Sequence, residues 1–216
     1  MALILALESS CDDLAAAVVR DGVEVLASVV QSQDAVHAPY GGVVPELASR
    51  DHVRHLHSTV SAALARANVA LEQIDAIAVT SGPGLIGSLL VGLSFAKALA
   101  YRLRKPLVSV HHIEGHLASA RLGEQPLALP FLGLVVSGGH TALYWVETLA
   151  SARLLGQTRD DSAGEAFDKV AKRLGLGYPG GREVDLHARR GRADAFAFPR
   201  PMLQEPGLAM SFSGLK

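Results

Sequence analysis

The chain has 216 residues, 49% hydrophobic and 19% charged, enough for one large domain or two small lobes with real cores. Lys plus Arg number 20 and Asp plus Glu 21, a net charge of -1, so whole-chain charge gives no indication of nucleic acid and any such surface must be local. The single cysteine, Cys11, excludes an intrachain disulfide framework and fits a reducing cytoplasm.

The N-terminus runs straight into an apolar strand, with no basic n-region or small-residue cleavage site, so no signal peptide is expected. Residues 2–7 form the first strand, ending in Glu8. A polar turn, Ser9-Ser10-Cys11-Asp12-Asp13, leads into a second strand over 14–19. Asp21-Gly22 is a hairpin signal, and residues 23–30 read as a third strand. Val53, Leu56, Val60, Leu64 and Ala67 recur at helical spacing. A fourth strand over 75–80 precedes an apolar stretch, 85–103. Gly87, Gly92 and Lys97 make that stretch too interrupted for a membrane span, and it is expected to be a helix buried on most sides. Residues 107–110 are a fifth strand.

The second half starts the same way. Strands are expected over 131–136, 142–146 and 154–157, with Ser137-Gly138-Gly139-His140-Thr141 as a tight turn. A helix follows over 162–174. The Gly and Pro cluster after Leu174 reads as loop. Two similar units imply an α/β protein of two related lobes, divided as 1–108 and 109–216, with a cleft between them.

Three features carry chemistry. His112 and His116 lie four residues apart, so on a helix both imidazoles project from one face and can share a divalent metal. A polar helix start that happens to carry histidines is the plainer alternative. Glu114 stands at neither zincin position, so a metalloprotease lacks its general base. The Ser137-Gly138-Gly139 turn lacks bulky side chains and can bring backbone N–H groups close to a phosphate or carboxylate, although Gly-Gly is also common in ordinary hairpins. Ser81 to Ser88 is a Gly-rich strand-to-helix turn. Ser88 stands where a Walker A lysine belongs, so the choice there is between an anion site at a helix N-terminus and glycines that allow close packing.

Other groups are less specific. Asp160 and Asp161 are placed to cap a helix, and Asp168 lies one turn inside it. Cys11 has no base nearby in sequence and reads as a buried thiol. Basic residues cluster at Arg50, His52, Arg54, His55 and His57. A second cluster, Lys169, Lys172, Arg173, Arg182, Arg189, Arg190 and Arg192, could track a phosphate backbone, though Glu183 and Asp185 interrupt it.

Taken in order, several stretches together resemble the tRNA threonylcarbamoyladenosine synthase family in its bacterial form. They are Leu7 to Asp12, Tyr40 to His52, Gly82 to Leu85, His111 to His116, Val136 to Thr141, Gly164 to Lys169, Tyr178 to Gly181 and Ser211 to Lys216. The resemblance implies an actin-like ATPase fold (actin/Hsp70/sugar-kinase type, RNase H-like) with the second lobe incomplete. It implies an acyltransferase that moves the threonylcarbamoyl group from threonylcarbamoyl-AMP to N6 of adenosine 37 in tRNAs reading ANN codons, releasing AMP. His112 and His116 match ligands of one divalent metal per subunit, usually Fe(2+). Val135, Val136, Ser137, Gly138, Gly139, Asp168, Gly181 and Asp185 match positions that contact the adenylate. The implied partners are tRNA, a degenerate paralogue of the same fold bound through the first lobe, and a P-loop ATPase. The implied location is the cytoplasm, with no membrane.

Two departures bear on the site. Val135 stands where archaeal and eukaryotic relatives carry a metal-ligating Tyr. The family also continues past the Ser-Phe-Ser-Gly-Leu-Lys motif, where it supplies a further Asn to the substrate and an Asp to the metal. The expectation is therefore a C-terminally truncated chain that binds metal or adenylate weakly and does not modify tRNA alone. The alternatives are a non-catalytic scaffold, which would not need the His pair, and an ATPase of the same fold.

Overall fold

A computed structural model of the chain describes residues 1–122 and 125–216. They form two compact units, Met1–Val36 with Val43–Leu127, and His37–Gly42 with Ala128–Lys216. The first unit holds β1 (Leu3–Glu8), β2 (Leu14–Arg20), β3 (Glu24–Gln31), α2 (Pro45–Ala67), β4 (Ala76–Gly82), α3 (Ile86–Leu103), β5 (Leu107–His111) and α4 (His112–Ser119). The short α1 (Asp34–His37) lies at the junction of the two units' residues. The second unit holds β6 (Phe131–Val136), β7 (Thr141–Thr148), β8 (Ser151–Gln157), α5 (Ala163–Arg173) and α6 (Gly180–Ala188).

The first sheet runs β3-β2-β1-β4-β5. β1, β2 and β3 are an antiparallel meander, and β4 and β5 are parallel to β1. Alternation decides which face is covered. Leu5 and Leu7 of β1 are buried, as are Ala16 and Val18 of β2 and Ile77 and Val79 of β4. The register aligns them in two rows, Val18-Leu5-Ile77 and Ala16-Leu7-Val79. Val60 and Ala63 of α2, with Ala96 and Ala100 of α3, complete this core. The α/β class and the strand order agree with an actin-like lobe. The second sheet is a three-stranded antiparallel meander, β6-β7-β8.

α2 begins at Pro45, where a proline at the first helical position loses no hydrogen bond, and stops where Asn68 turns left-handed. α3 buries a stripe of small residues spaced by four, Ser88, Gly92, Ala96 and Ala100. A Cβ at Gly92 would sit 2.2 Å from Ser9 Oγ, so the helix can lie this close to the end of β1 only because Gly92 lacks one.

Several expectations need correction. α3 is long and apolar enough by length and composition to cross a membrane, yet it is not buried on most sides. Only 22% of it is buried, and Ile86, Leu90 and Tyr101 stand in solvent. One face packs on the sheet and the other is open. The segment after Leu174 is not all loop, because α6 begins at Gly180, where the Asp168 carboxylate accepts the Gly180 N–H at 2.8 Å. The division falls after Leu127, not at 108/109. A cut at 108/109 would divide β5, which pairs with β4, and would separate α4 from it.

His52 does not belong to a basic surface. It is fully buried. Its Nε2–H donates to the Cys11 carbonyl at 2.8 Å, and its Nδ1 accepts from the Gln33 amide at 3.0 Å. Both ring nitrogens are thus engaged in the neutral tautomer. Burial pulls its pKa down, only partly offset by the Cys11 carbonyl and by Asp51, Asp12 and Glu8. With the folded value depressed, the contribution of His52 to stability is complete above about 6.5, the ordinary histidine value, and is lost as pH falls through the folded value. We predict that thermal denaturation of the wild type shows falling stability from about pH 7.5 to about pH 5. His52→Leu should be less stable at neutral pH by about 1–3 kcal/mol, through the buried Cys11 carbonyl left without its donor and the lost bond to the Gln33 amide, and should show a flatter pH profile.

Candidate functional site

The carboxyl ends of the parallel strands β1, β4 and β5 lie side by side, the edge of an open α/β sheet where ligands commonly bind. Glu8 ends β1, Thr80 lies near the end of β4, and His112 opens α4 directly after β5. Glu8 Oε2 accepts from Thr80 Oγ1 at 2.7 Å and from His112 Nδ1 at 3.1 Å. Ser10 Oγ is also 3.1 Å from His112 Nδ1, and the Ser10 N–H donates to Glu8 Oε1. Partial burial pushes the Glu8 carboxyl up, but the hydrogen bonds from His112, Thr80 and Ser10 outweigh it and hold the group at about 2. Glu8 is therefore a carboxylate at neutral pH.

A carboxylate behind Nδ1 selects the tautomer of His112 with the proton on that nitrogen, which leaves Nε2 as an acceptor. His116 Nε2 lies 3.1 Å from His112 Nε2, with the rings edge to face at 81°. In the absence of an ion this contact is an N–H···N hydrogen bond. A separation of 3.1 Å also suits two neighbouring ligands on one ion, each bound at about 2.1 Å. The donor set, two imidazole nitrogens with a carboxylate behind one of them, would suit a first-row divalent metal. It supplies two ligands. Among the described residues no group of three or more His, Cys, Asp or Glu side chains is placed to hold an ion.

Glu8, which orients His112, is the residue of this candidate site that reading the sequence missed. Its signal was a carboxylate ending an apolar strand just before the Ser-Ser turn. The Gly-rich turn before α3 is explained by packing, since a Cβ at Gly84 would sit 2.4 Å from the Ser10 carbonyl oxygen. Cys11 is not a nucleophile. Burial pushes its thiol up to about 12, with the charges of Asp12 and Asp13 adding to the effect.

In the second unit, the Ser137-Gly138-Gly139 turn joins β6 to β7. It is fixed by the Ser137 N–H to His140 carbonyl bond at 2.8 Å, and by Ser137 Oγ, which accepts from His140 N at 2.9 Å and Gly139 N at 3.3 Å. The start of α5 closes on it. Gly164 N donates to the Ser137 carbonyl at 3.2 Å and Ser162 Oγ to the Gly138 carbonyl at 2.7 Å. A Cβ at Gly164 would lie 2.5 Å from the Ser137 oxygen, whereas one at Gly138 or Gly139 would meet nothing within 4 Å. Neither Gly138 nor Gly139 has a positive φ. Neither hairpin geometry nor packing therefore requires glycine at these two positions, and the turn leaves open space beside its backbone.

The other expected substrate positions lie nearby in the same unit. Asp168 is one turn beyond Gly164 on α5 and, through Gly180, holds the start of α6. Gly181 and Asp185 lie one turn apart on α6, and Asp185 pairs with Arg189 at 2.8 Å in solvent. Val135 is buried in β6, while Val136 is exposed.

Asp160 and Asp161 do not cap α5. Ser162 does, accepting Glu165 N at 3.0 Å. Asp160 instead receives the Phe212 and Ser213 N–H groups and the Ser211 and Ser213 hydroxyls. Asp161 receives Lys169 and Lys216. These bonds hold both carboxyls below the ordinary aspartate value.

The model of the TsaD family, tRNA N6-adenosine threonylcarbamoyltransferase, matches residues 24–216. The chain belongs to this family. It is 59% identical over 214 residues to the tRNA N6-adenosine threonylcarbamoyltransferase of Syntrophobacter fumaroxidans, covering 99% of this chain and 63% of that protein. It is 57% identical to the enzyme of Geobacter sulfurreducens, again covering 99% of this chain and 63% of the other. The chain thus spans just under two thirds of the length of these curated relatives. Among solved structures it is similar to YeaZ from Pseudomonas aeruginosa, with a TM-score of 0.47 and 22% identity over 76% of this chain and 66% of the other. It is also similar to the ROK hexokinase of Thermus thermophilus, with a TM-score of 0.48 and 16% identity over 88% and 70%.

The glycine geometry separates packing from access in this member of the TsaD family. Gly164→Ala should lower stability by about 1–3 kcal/mol, because the Ser137 backbone cannot yield easily. Gly139→Ala should change stability by less than about 0.5 kcal/mol. Thermal denaturation of the two variants checks both values.

Proposed function

We propose that this chain carries the adenylate-binding and metal-binding parts of a tRNA N6-adenosine threonylcarbamoyltransferase. The reaction is transfer of the threonylcarbamoyl group from threonylcarbamoyl-AMP to N6 of adenosine 37, with release of AMP. The observation that supports this reading is the family match over residues 24–216. The geometry agrees with it at the two positions that carry the chemistry.

At the first, His112 and His116 would hold one divalent ion, Fe(2+) by the family resemblance, with the remaining ligands supplied from elsewhere. Glu8 fixes the ring and proton of His112 so that Nε2 is presented as a donor atom, and Ser10 and Thr80 fix Glu8. When bound, the ion would supply Lewis acidity toward a phosphate or carbonyl oxygen. At the second, the Val135 and Val136 backbone with the Ser137-Gly138-Gly139 turn would take the adenylate at close backbone range. Asp168, Gly181 and Asp185 would contribute acceptors and close approach from α5 and α6. Pre-set amides beside the reacting group favour the charge that develops as the mixed anhydride breaks.

The partners belong to the same reading: tRNA, a degenerate paralogue of the same fold, and a P-loop ATPase, all in the cytoplasm and away from any membrane. The open face of α2 and α3 supports paralogue docking. It forms an apolar groove of about 390 Å³ lined by Val53, Leu56, His57, Leu90, Val91 and Phe95. Leu90→Glu is expected to leave folding unchanged, since Leu90 is 61% exposed, and to abolish co-elution with the paralogue.

The test of the site is metal and adenylate binding by the full-length form, since the chain alone is expected to bind both weakly. His112→Ala with His116→Ala should abolish stoichiometric binding of Fe(2+) in an anaerobic titration while thermal denaturation stays near wild type. Glu8→Gln should weaken binding about 10–100-fold. Gly139→Val should weaken threonylcarbamoyl-AMP binding far more than stability. Transfer is read by mass spectrometry of nucleosides after incubation with ion, adenylate, partners and unmodified tRNA. Retention of one tightly held ion by the double variant would overturn the metal assignment. Equal losses of binding and stability at Gly139 would return the turn to an ordinary hairpin.

A further inference from the structure

The second basic cluster has a neighbour that composition alone did not reveal. Between Lys169 and Arg200 eight Lys and Arg residues stand against three acidic ones, Glu183, Asp185 and Asp194, in a chain whose net charge is -1. Part of this charge is already engaged. Lys169 is held by Asp161 and Glu165, and Arg189 by Asp185. Arg190, Arg192 and Arg200 are exposed, and among the described residues none of them is in an ion pair. Within the same short segment, Phe196 and Phe198 are 74% and 68% exposed. Residues two apart on an extended chain share a side. The two rings do so, with centroids 6.0 Å apart at 51°, a tilted contact that leaves most of both rings in solvent.

Resting on the reading that the substrate is a tRNA, we propose that residues 190–200 are a contact surface for an RNA loop. Arg190, Arg192 and Arg200 take phosphates, and Phe196 and Phe198 stack on unpaired bases. The charge term accounts for attraction to any nucleic acid and is salt-dependent. The aromatic pair is what selects a loop. A duplex hides its base faces, whereas unstacked loop bases offer them to aromatic side chains without regard to sequence. Basic residues with aromatics can also serve a membrane surface. That usually takes an amphipathic helix with a broad apolar face, and residues 190–200 are irregular. The cations are also all arginines, whose planar heads suit phosphates and base faces together.

The experiment is fluorescence anisotropy of the purified chain with an RNA hairpin bearing an unpaired loop and with the same stem as a continuous duplex. The hairpin should bind more tightly. Phe196→Ala with Phe198→Ala should weaken hairpin binding about tenfold or more and leave duplex binding and the melting temperature unchanged. Arg190→Ala with Arg192→Ala should weaken both RNAs and reduce the salt slope by about two.

Equal affinity for hairpin and duplex would overturn the proposal. So would a double Phe variant that melts lower yet binds RNA normally, because the rings would then be packing residues. Binding to anionic vesicles without binding to RNA would assign the surface to membranes and overturn it as well. Threonylcarbamoyl-AMP binding, measured on the full-length form, separates the two readings. Adenylate binding without hairpin preference defeats this surface alone. Hairpin preference without adenylate binding leaves the surface standing and defeats the activity reading.

Discussion

The first unit depends on how closely α3 approaches the end of β1. A single methyl at Gly92 would overlap Ser9 Oγ, and one at Gly84 would overlap the Ser10 carbonyl. The approach is then locked by hydrogen bonds, from Ser9 Oγ to the Ser88 carbonyl at 2.9 Å and from Leu85 N to the Ser10 carbonyl at 2.7 Å. Buried His52 holds the next residue of the turn, Cys11, from the other side. The 9–11 turn is thus clamped between two helices before any ligand is considered. Ser10, within the turn, and Glu8, just before it, inherit that rigidity and pass it to His112. Preorganisation of this kind keeps an imidazole within the narrow geometry that a metal ligand needs.

The second unit reaches a similar end through one loop. Thr158 to Ser162 joins β8 to α5, and its acidic and hydroxyl groups act in different directions. Asp160 gathers Ser211, Phe212 and Ser213, Asp161 takes two lysines, and Ser162 caps α5 while donating to the Gly138 carbonyl. The N-terminal N–H groups of α5 are consumed in this arrangement. Ala163 N goes to Thr141, Gly164 N to Ser137 and Glu165 N to Ser162. An anion therefore has no claim on that helix start. The open space lies instead beside Gly138 and Gly139.

Much of this was legible in the sequence, for identifiable reasons. Strands with strict alternation or continuous apolar runs, such as 3–8 and 131–136, are specified by local pattern, and the His112–His116 pair follows from helical period alone. What was illegible depends on partners distant in sequence. α6 starts in a Pro-Gly-Gly stretch that any propensity scale reads as loop, and its first N–H is satisfied by Asp168, twelve residues away. The exposure of α3 could not be foreseen because an apolar helix looks the same whether one face or all of it is covered. Asp160 and Asp161 looked like caps because an Asp before a helix usually is one. The serine after them does that work, which freed the aspartates for residues 211–216.

The histidines show where composition stops and geometry begins. His52, His112 and His116 are the same side chain, and two of them lay in stretches that looked equally basic or equally polar. In His52 one nitrogen donates to a carbonyl and the other accepts from an amide, so the ring is consumed by the fold and burial keeps it neutral. In His112 the carboxylate of Glu8 engages one nitrogen and thereby directs the other toward the matching nitrogen of His116. Neither number nor spacing of histidines separates these cases. The difference is whether the second nitrogen ends on a group of the protein's own backbone or faces another soft donor at a distance that one ion can span. By that criterion His52 is part of the scaffold, whereas the facing nitrogens of the pair on α4 end on each other and not on the backbone.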